Sequence, residues 1–143
     1  MAHKIEEFPV FRDAQTFCVA VSEALKRSQL RKGSNAYKQI DDASDSILAN
    51  MSEGFAQESD DGFAKYLYYS KGSVQEVIRR LKRAAARQRV PADLVSRLEE
   101  MAEPICKQLG GLIKYLKRSA FKDRGRFRQK GTARRPRRSG DSV

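Results

Sequence analysis

Residues 39–55 read QIDDASDSILANMSEGF. Ile40, Ala43, Ile47, Met51 and Gly54 recur at intervals of three and four, the spacing of one face of an α-helix. Ser34 or Asn35 stands just ahead, where a helix start needs a side-chain acceptor for its unpartnered backbone N–H groups. Beside the apolar face lie Ser46, Asn50 and Glu53, a hydroxyl, an amide and a carboxylate within two turns. The stretch is either a small catalytic site or a helix with a polar border. The rest of the chain decides between them.

The same periodicity appears three more times. In residues 10–30, VFRDAQTFCVAVSEALKRSQL, the positions Phe11, Ala14, Cys18, Val21 and Leu25 form one stripe, and Gly33 offers a stop. Ser59 is placed to cap a third helix, with Asp60 and Asp61 at the positive end of its dipole. That helix is expected to run to about Arg89, with Phe63, Leu67, Ser70, Val74, Val77, Ile78, Leu81 and Ala85 inward. Pro91 suits the first turn of a fourth helix with Asp93. Its stripe is Leu94, Leu98, Met101, Ile105, Leu109, Leu112 and Leu116. Pro104 falls inside it and clashes with the carbonyl of Glu100, so a kink or a short break is expected there. No segment alternates as a strand would. The expected fold is all-α, an antiparallel up-down-up-down four-helix bundle over residues 10–119. Residues 1–9 form a lead.

Charge is unevenly placed. The chain carries a net +11, and residues 121–143 hold nine basic side chains against two acidic ones. Those residues have too few apolar groups to offset the entropy of ordering, so 120–143 reads as a disordered Arg-rich tail. No apolar run approaches the roughly 18 residues of a membrane span, and the opening MAHKIEEFPV lacks a signal core. A cytoplasmic protein without a membrane partner is the expectation. Cys18 and Cys106 sit in helical patterns and read as small buried thiols. His3 is the one histidine. A histidine base, a Ser–His pair and a histidine metal site therefore lack their central residue. Walker, GxGxxG and HExxH patterns are absent as well. The expectation is no enzyme, no catalytic residue, no metal and no cofactor.

The second and third helices carry more than periodicity. Ser46, Ile47, Asn50, Met51, Glu53 and Gly54, then Phe63, Tyr66, Leu67, Gly72, Ser73 and Glu76, resemble the paired motifs of the 23S rRNA intervening-sequence proteins, a bacterial four-helix-bundle family. FPVFRDAQTF resembles that family's opening and LGGLIKYLKRS its close, so the resemblance covers about residues 8–119. It implies a helical bundle and homo-oligomers, ring-like pentamers among them. It also implies kinship with the accessory variability determinant of diversity-generating retroelements, a basic protein that works with a reverse transcriptase and nucleic acid. It implies no catalytic residues. The tail and Pro104 depart from the pattern.

With no base to activate Ser46, the polar border is architectural. Ser46, Asn50, Glu53 and Gly54 form a structural motif, with Asn50 expected to bond across to a neighbouring helix and Gly54 to admit one closely. On the third helix, Tyr69, Gly72, Ser73 and Glu76 are candidates for a subunit interface, because an outward glycine costs a helix about 1 kcal/mol and invites a packing partner. A tolerated surface glycine is the alternative. Arg79, Arg83 and Arg87 continue along the outer face, and Lys114, Lys117 and Arg118 close the fourth helix. With tail residues Arg124, Arg126, Arg128, Arg134, Arg135, Arg137 and Arg138 they are candidate phosphate contacts to RNA or DNA, without sequence reading. The expected function is a homo-oligomeric nucleic-acid-binding accessory protein, with a reverse transcriptase as a further partner. The alternative is an oligomeric scaffold whose charge serves solubility or docking to an acidic protein.

Overall fold

The computed structural model describes residues 4–129, and side chains over 4–125. After a single 3-10 turn at Ile5–Glu7 come α1 (Pro9–Arg27), α2 (Asn35–Phe55), α3 (Asp60–Ala86) and α4 (Ala92–Gln129). Each helix packs on two others. α1 touches α2 and α4, and α3 touches α2 and α4, so the four make a square. Three contacts fix the direction of the α3–α4 pair. Lys82 pairs with Glu99, Lys71 lies beside Gly110, and Asp61 pairs with Arg124. As α3 numbers fall α4 numbers rise, which is an antiparallel hairpin. The core is one cluster, centred on Phe17, Leu25, Ile40, Ile47, Met51, Leu67, Leu81, Ile105 and Leu109. Each such side chain contributes roughly 1.5–3 kcal/mol relative to exposure.

The caps explain where most helices start. Ser34 Oγ accepts from the Tyr37 N–H at 3.3 Å, and Ser59 Oγ from the Gly62 N–H at 3.0 Å. Helix ends differ from the sequence expectation. α1 stops at Arg27, ahead of Gly33, because Ser28 Oγ donates to the Leu25 carbonyl and accepts from the Leu30 N–H. The Gln29 N–H then donates to the Arg89 carbonyl, tying the first loop to the third. α3 stops at Ala86, short of Arg89. Gln88 adopts a left-handed backbone, φ 59°. The Arg89 N–H bonds to the Ala84 carbonyl and the Gln88 N–H to that of Ala85. This is a Schellman ending with glutamine where glycine is usual.

α4 departs from expectation in two ways. It runs unbroken through Pro104, so the expected break is not there. Pro104 and Glu100 both lie on the exposed side, where the carbonyl that loses its partner meets water. The helix also passes residue 119 and continues to Gln129. Ala120 is buried against the bundle and Arg124 reaches back to Asp61 on α3, which gives the added turns tertiary contacts. The disordered tail expected from residue 120 therefore does not begin there. Residues 130–143 of that expectation lie outside the described residues.

α2 and α3 meet along a seam of small groups. Ser70, fully buried, donates its hydroxyl to the Ile47 carbonyl at 2.7 Å. Ser46 and Ser73 share a hydroxyl–hydroxyl bond of 2.6 Å. At the loop end Gly54 is buried against α3. A Cβ on Gly54 would sit 2.9 Å from Tyr66 Cβ and 3.2 Å from the Phe63 carbonyl oxygen. Beside it Phe8, Phe55 and Phe63 meet edge to face, with centroids 5.8–6.0 Å apart, and join the starts of α1 and α3 to the end of α2.

Two glycine-to-alanine changes should therefore act in opposite directions. Gly54→Ala gains about 1 kcal/mol of helix propensity but must push α3 away, and overpacking of that kind costs typically 1–3 kcal/mol. A net loss in urea unfolding is expected. At Gly72, where a Cβ meets nothing within 4 Å, alanine should add up to about 1 kcal/mol. Equal or greater stability for Gly54→Ala would show that the seam is not closely fitted.

Candidate nucleic-acid interface

The structure sorts the basic residues into two groups. Arg79 and Arg83 are exposed on α3 and Arg87 at its C-cap, and Lys114, Lys117 and Arg118 on α4. Among the described residues no ion pair engages any of the six. Their neighbours are occupied. Arg80 donates to Glu76 at 2.8 Å and to Gln39 at 2.7 Å, bracing α3 against α2. Lys82 pairs with Glu99 at 2.6 Å between α3 and α4. Arg124, expected among the free tail cations, is half-buried and pairs with Asp61. It holds α4 to the start of α3 and is removed from the phosphate-contact set. The side chains of Arg126 and Arg128, and Arg134, Arg135, Arg137 and Arg138 entirely, lie outside the described residues.

The antiparallel pairing of α3 and α4 places the free cations towards opposite ends. Lys114 and Lys117 lie level with the first half of α3, and Arg79 and Arg83 along its second half, with Arg87 just past its end. Between the helices runs an open groove of about 970 Å³. Its floor is apolar, from Val74, Ile78 and Ala102, and its rim carries Lys71, Arg79 and Lys107 together with Glu99 and Glu103. Cys106 opens into this groove. Burial pushes its thiol up from the ordinary value, and Lys71 pulls the other way more weakly. Burial raises Cys18 too, whose thiol donates to the Ser44 carbonyl at 3.5 Å. Both thiols are held protonated, and neither is the thiolate a nucleophile requires.

The motif on α2 is architectural in a different manner from that expected. Asn50 does not bond across to another helix. Its Nδ2 donates to the Ser46 carbonyl at 2.9 Å, within α2. The crossing bond is made by Ser46, placed outside the core by simple helical arithmetic. Its hydroxyl donates to the Ala43 carbonyl and meets Ser73. The α3 segment is narrow enough at these serines for a border residue to reach across. Glu53 stays exposed. Of the four residues expected at a subunit interface, Ser73 is buried in the α2–α3 seam and Glu76 is engaged by Arg80. Tyr69 and Gly72 face outward. The exposed Tyr68 beside them escaped the sequence reading, although its position one turn before Gly72 was a usable signal. Among the described residues no three of His, Cys, Asp and Glu stand close enough to hold a metal ion, and no helix is long and apolar enough to cross a membrane.

On α2 the charge has the opposite sign. Asp41, Asp42 and Asp45 stand exposed together. Desolvation, then the like charges of Asp41 and Asp42, push the Asp45 carboxyl above its ordinary value. The folded chain thus holds that proton more tightly than the unfolded chain. The resulting stability is full below the unfolded value, near 4, and is lost as pH rises through the raised folded value. Asp45→Asn should raise the thermal midpoint at pH 7. The gain should shrink in high salt and vanish below about pH 4. A gain independent of pH would point to packing instead of charge.

The family model described as 23S rRNA-intervening sequence protein matches residues 6–111, from the turn before α1 into the second half of α4. No curated protein matches the chain.

Proposed function

The chain belongs to the 23S rRNA-intervening sequence protein family, and from that premise we propose that it is a non-enzymatic accessory protein that binds RNA or DNA through the phosphate backbone. One observation carries this reading. Six cations, Arg79 and Arg83 on α3, Arg87 at its C-cap, and Lys114, Lys117 and Arg118 on α4, stand exposed without a carboxylate partner among the described residues. Stability gives no reason to leave them so, since unpaired surface charges of one sign repel. A polyanion supplies the missing charge, releases its own counterions and needs no sequence reading. The ribosomal-RNA setting in the family's name agrees with a nucleic-acid partner. The Ser46 hydroxyl is engaged by the Ala43 carbonyl and by Ser73, which supports a binding role over a catalytic one.

The reading extends to a homo-oligomer, in which repeated weak phosphate contacts act together, and to a reverse transcriptase as the enzyme it assists. Both extensions follow from the resemblance of the α2 and α3 motifs.

The test is binding to a labelled RNA and a matched DNA across a salt series. The full chain is set beside a version ending at Gln129, which keeps the whole of α4, and a triple variant Arg79→Ala/Arg83→Ala/Arg87→Ala. The full chain should bind with a steep salt dependence. The triple variant should lower the magnitude of the log–log slope by about 2–3, near one unit per lost phosphate contact. An unchanged slope in the triple variant would move binding off α3. No binding by the full chain near 0.15 M salt would overturn the reading and leave a scaffold for an acidic protein.

A further inference from the structure

The outer face of α3 holds a feature that phosphate binding leaves unused. Tyr68 and Tyr69 are 65% and 46% exposed. Their ring centroids lie 6.4 Å apart, and Tyr69 rests edge-on against Tyr66 at 5.7 Å. The rings are therefore braced in place. A helical side chain leans towards the helix start and covers the turn before its own Cα. The residue that would cover Tyr68 and Tyr69 is the one four and three positions on, and it is Gly72. A Cβ there would meet nothing within 4 Å. The missing side chain leaves the tyrosine faces bare.

Cations flank the bare faces. Lys65, three residues before Tyr68, holds its ammonium 5.7 Å from the Tyr66 centroid. Lys71, three residues after, lies beside Gly110 of α4. The acidic groups on this face are already engaged, Asp61 by Arg124 and Glu76 by Arg80. Bare aromatic faces among unpaired ammonium groups suit a single-stranded nucleic acid, whose bases stack while its phosphates meet the cations. A duplex keeps its bases stacked internally and offers the face only phosphates. A second copy packed two-fold through this face would set lysine against lysine.

We propose that Tyr68 and Tyr69 form a stacking ledge for an unpaired nucleobase, with Lys65 and Lys71 taking the flanking phosphates, so that single strands bind in preference to duplex. This rests on the nucleic-acid binding proposed above. In the α3–α4 pairing the ledge is level with Lys114 of α4, and Arg79 and Arg83 follow further along α3, so a strand following the helix from the ledge meets both groups.

The experiment measures binding of the full chain to a single-stranded oligouridine and to a matched RNA hairpin duplex at 0.15 M salt. The chain has five tyrosines and no tryptophan, so quenching of tyrosine emission reports stacking. The variants are Tyr68→Ala/Tyr69→Ala and Gly72→Leu, which covers the rings while favouring the helix. Single strands should bind about tenfold more tightly than duplex, with quenching. Both variants should lose roughly tenfold or more in single-strand affinity, as expected for one lost stack. Duplex affinity and salt slope should be retained, and Gly72→Leu should unfold at a higher temperature than the wild type. Equal affinity for the two forms, or variants that keep single-strand affinity, overturns the ledge and leaves phosphate binding intact. No binding of either form removes both. Light scattering in which the wild type is an oligomer and the variants are monomers assigns the face to a second copy and overturns the proposal.

Discussion

The constraint on which the rest depends is the close approach of α2 to α3. Gly54 leaves no room for a Cβ beside Tyr66 and Phe63. Farther along, the hydroxyls of Ser46, Ser70 and Ser73 bridge the two helices directly or through the Ile47 carbonyl. Bonds this short fix a helix in rotation as well as in distance. A buried hydroxyl that misses its partner costs about 1–3 kcal/mol, so α3 cannot turn without losing several such contacts together. Once its inner face is set, its outer face follows. Tyr68, Gly72, Arg79 and Arg83 point to solvent because Ser70, Ser73 and Val77 cannot.

The second consequence concerns charge. A chain with a net +11 has more cations than its fold can use. The structure uses three where helices must be joined. Arg80 braces α3 to α2, Lys82 links α3 to α4, and Arg124 fastens the far end of α4 to Asp61. These bonds are partly exposed and individually modest, since surface pairs contribute about 0–1 kcal/mol. Their importance is in what they remove from the surface. Exposed cations without an ion pair remain on every helix, among them Arg79 and Arg83 on α3 and Lys114, Lys117 and Arg118 on α4, while α2 gathers Asp41, Asp42 and Asp45.

Much of this could be read from residue order. The caps at Ser34 and Ser59, the four apolar stripes and the glycine at the α2–α3 contact all follow from local chemistry and helical spacing. The errors share a cause. Asn50, expected to make the crossing bond, bonds to the Ser46 carbonyl within α2. The structure gives the crossing bond to Ser46, since what matters is the distance between helices and not the size of the polar group. α3 ends at Ala86 and is closed by Gln88 in a left-handed turn, where glycine would have been the signal. α4 outlasts its apolar stripe because Ala120 and Arg124 find partners in other helices. Pro104 is tolerated because the Glu100 carbonyl it leaves without a partner lies on the exposed side of α4.

The sequence by itself determined that there would be four helices, where most of them begin, which faces are apolar, and that histidine chemistry lacks its residue. These depend on interactions within a few residues, which spacing and residue type encode. The tertiary structure alone decided which basic residues are free and which are spent, that Ser73 lies inside while Tyr68 lies outside, and where α4 stops. Such properties depend on contacts between residues distant in the chain, such as Asp61 with Arg124 and Ser46 with Ser73. Helical periodicity gives each helix an inside and an outside. Only packing against the neighbours settles which residue at the border of that division finds a partner.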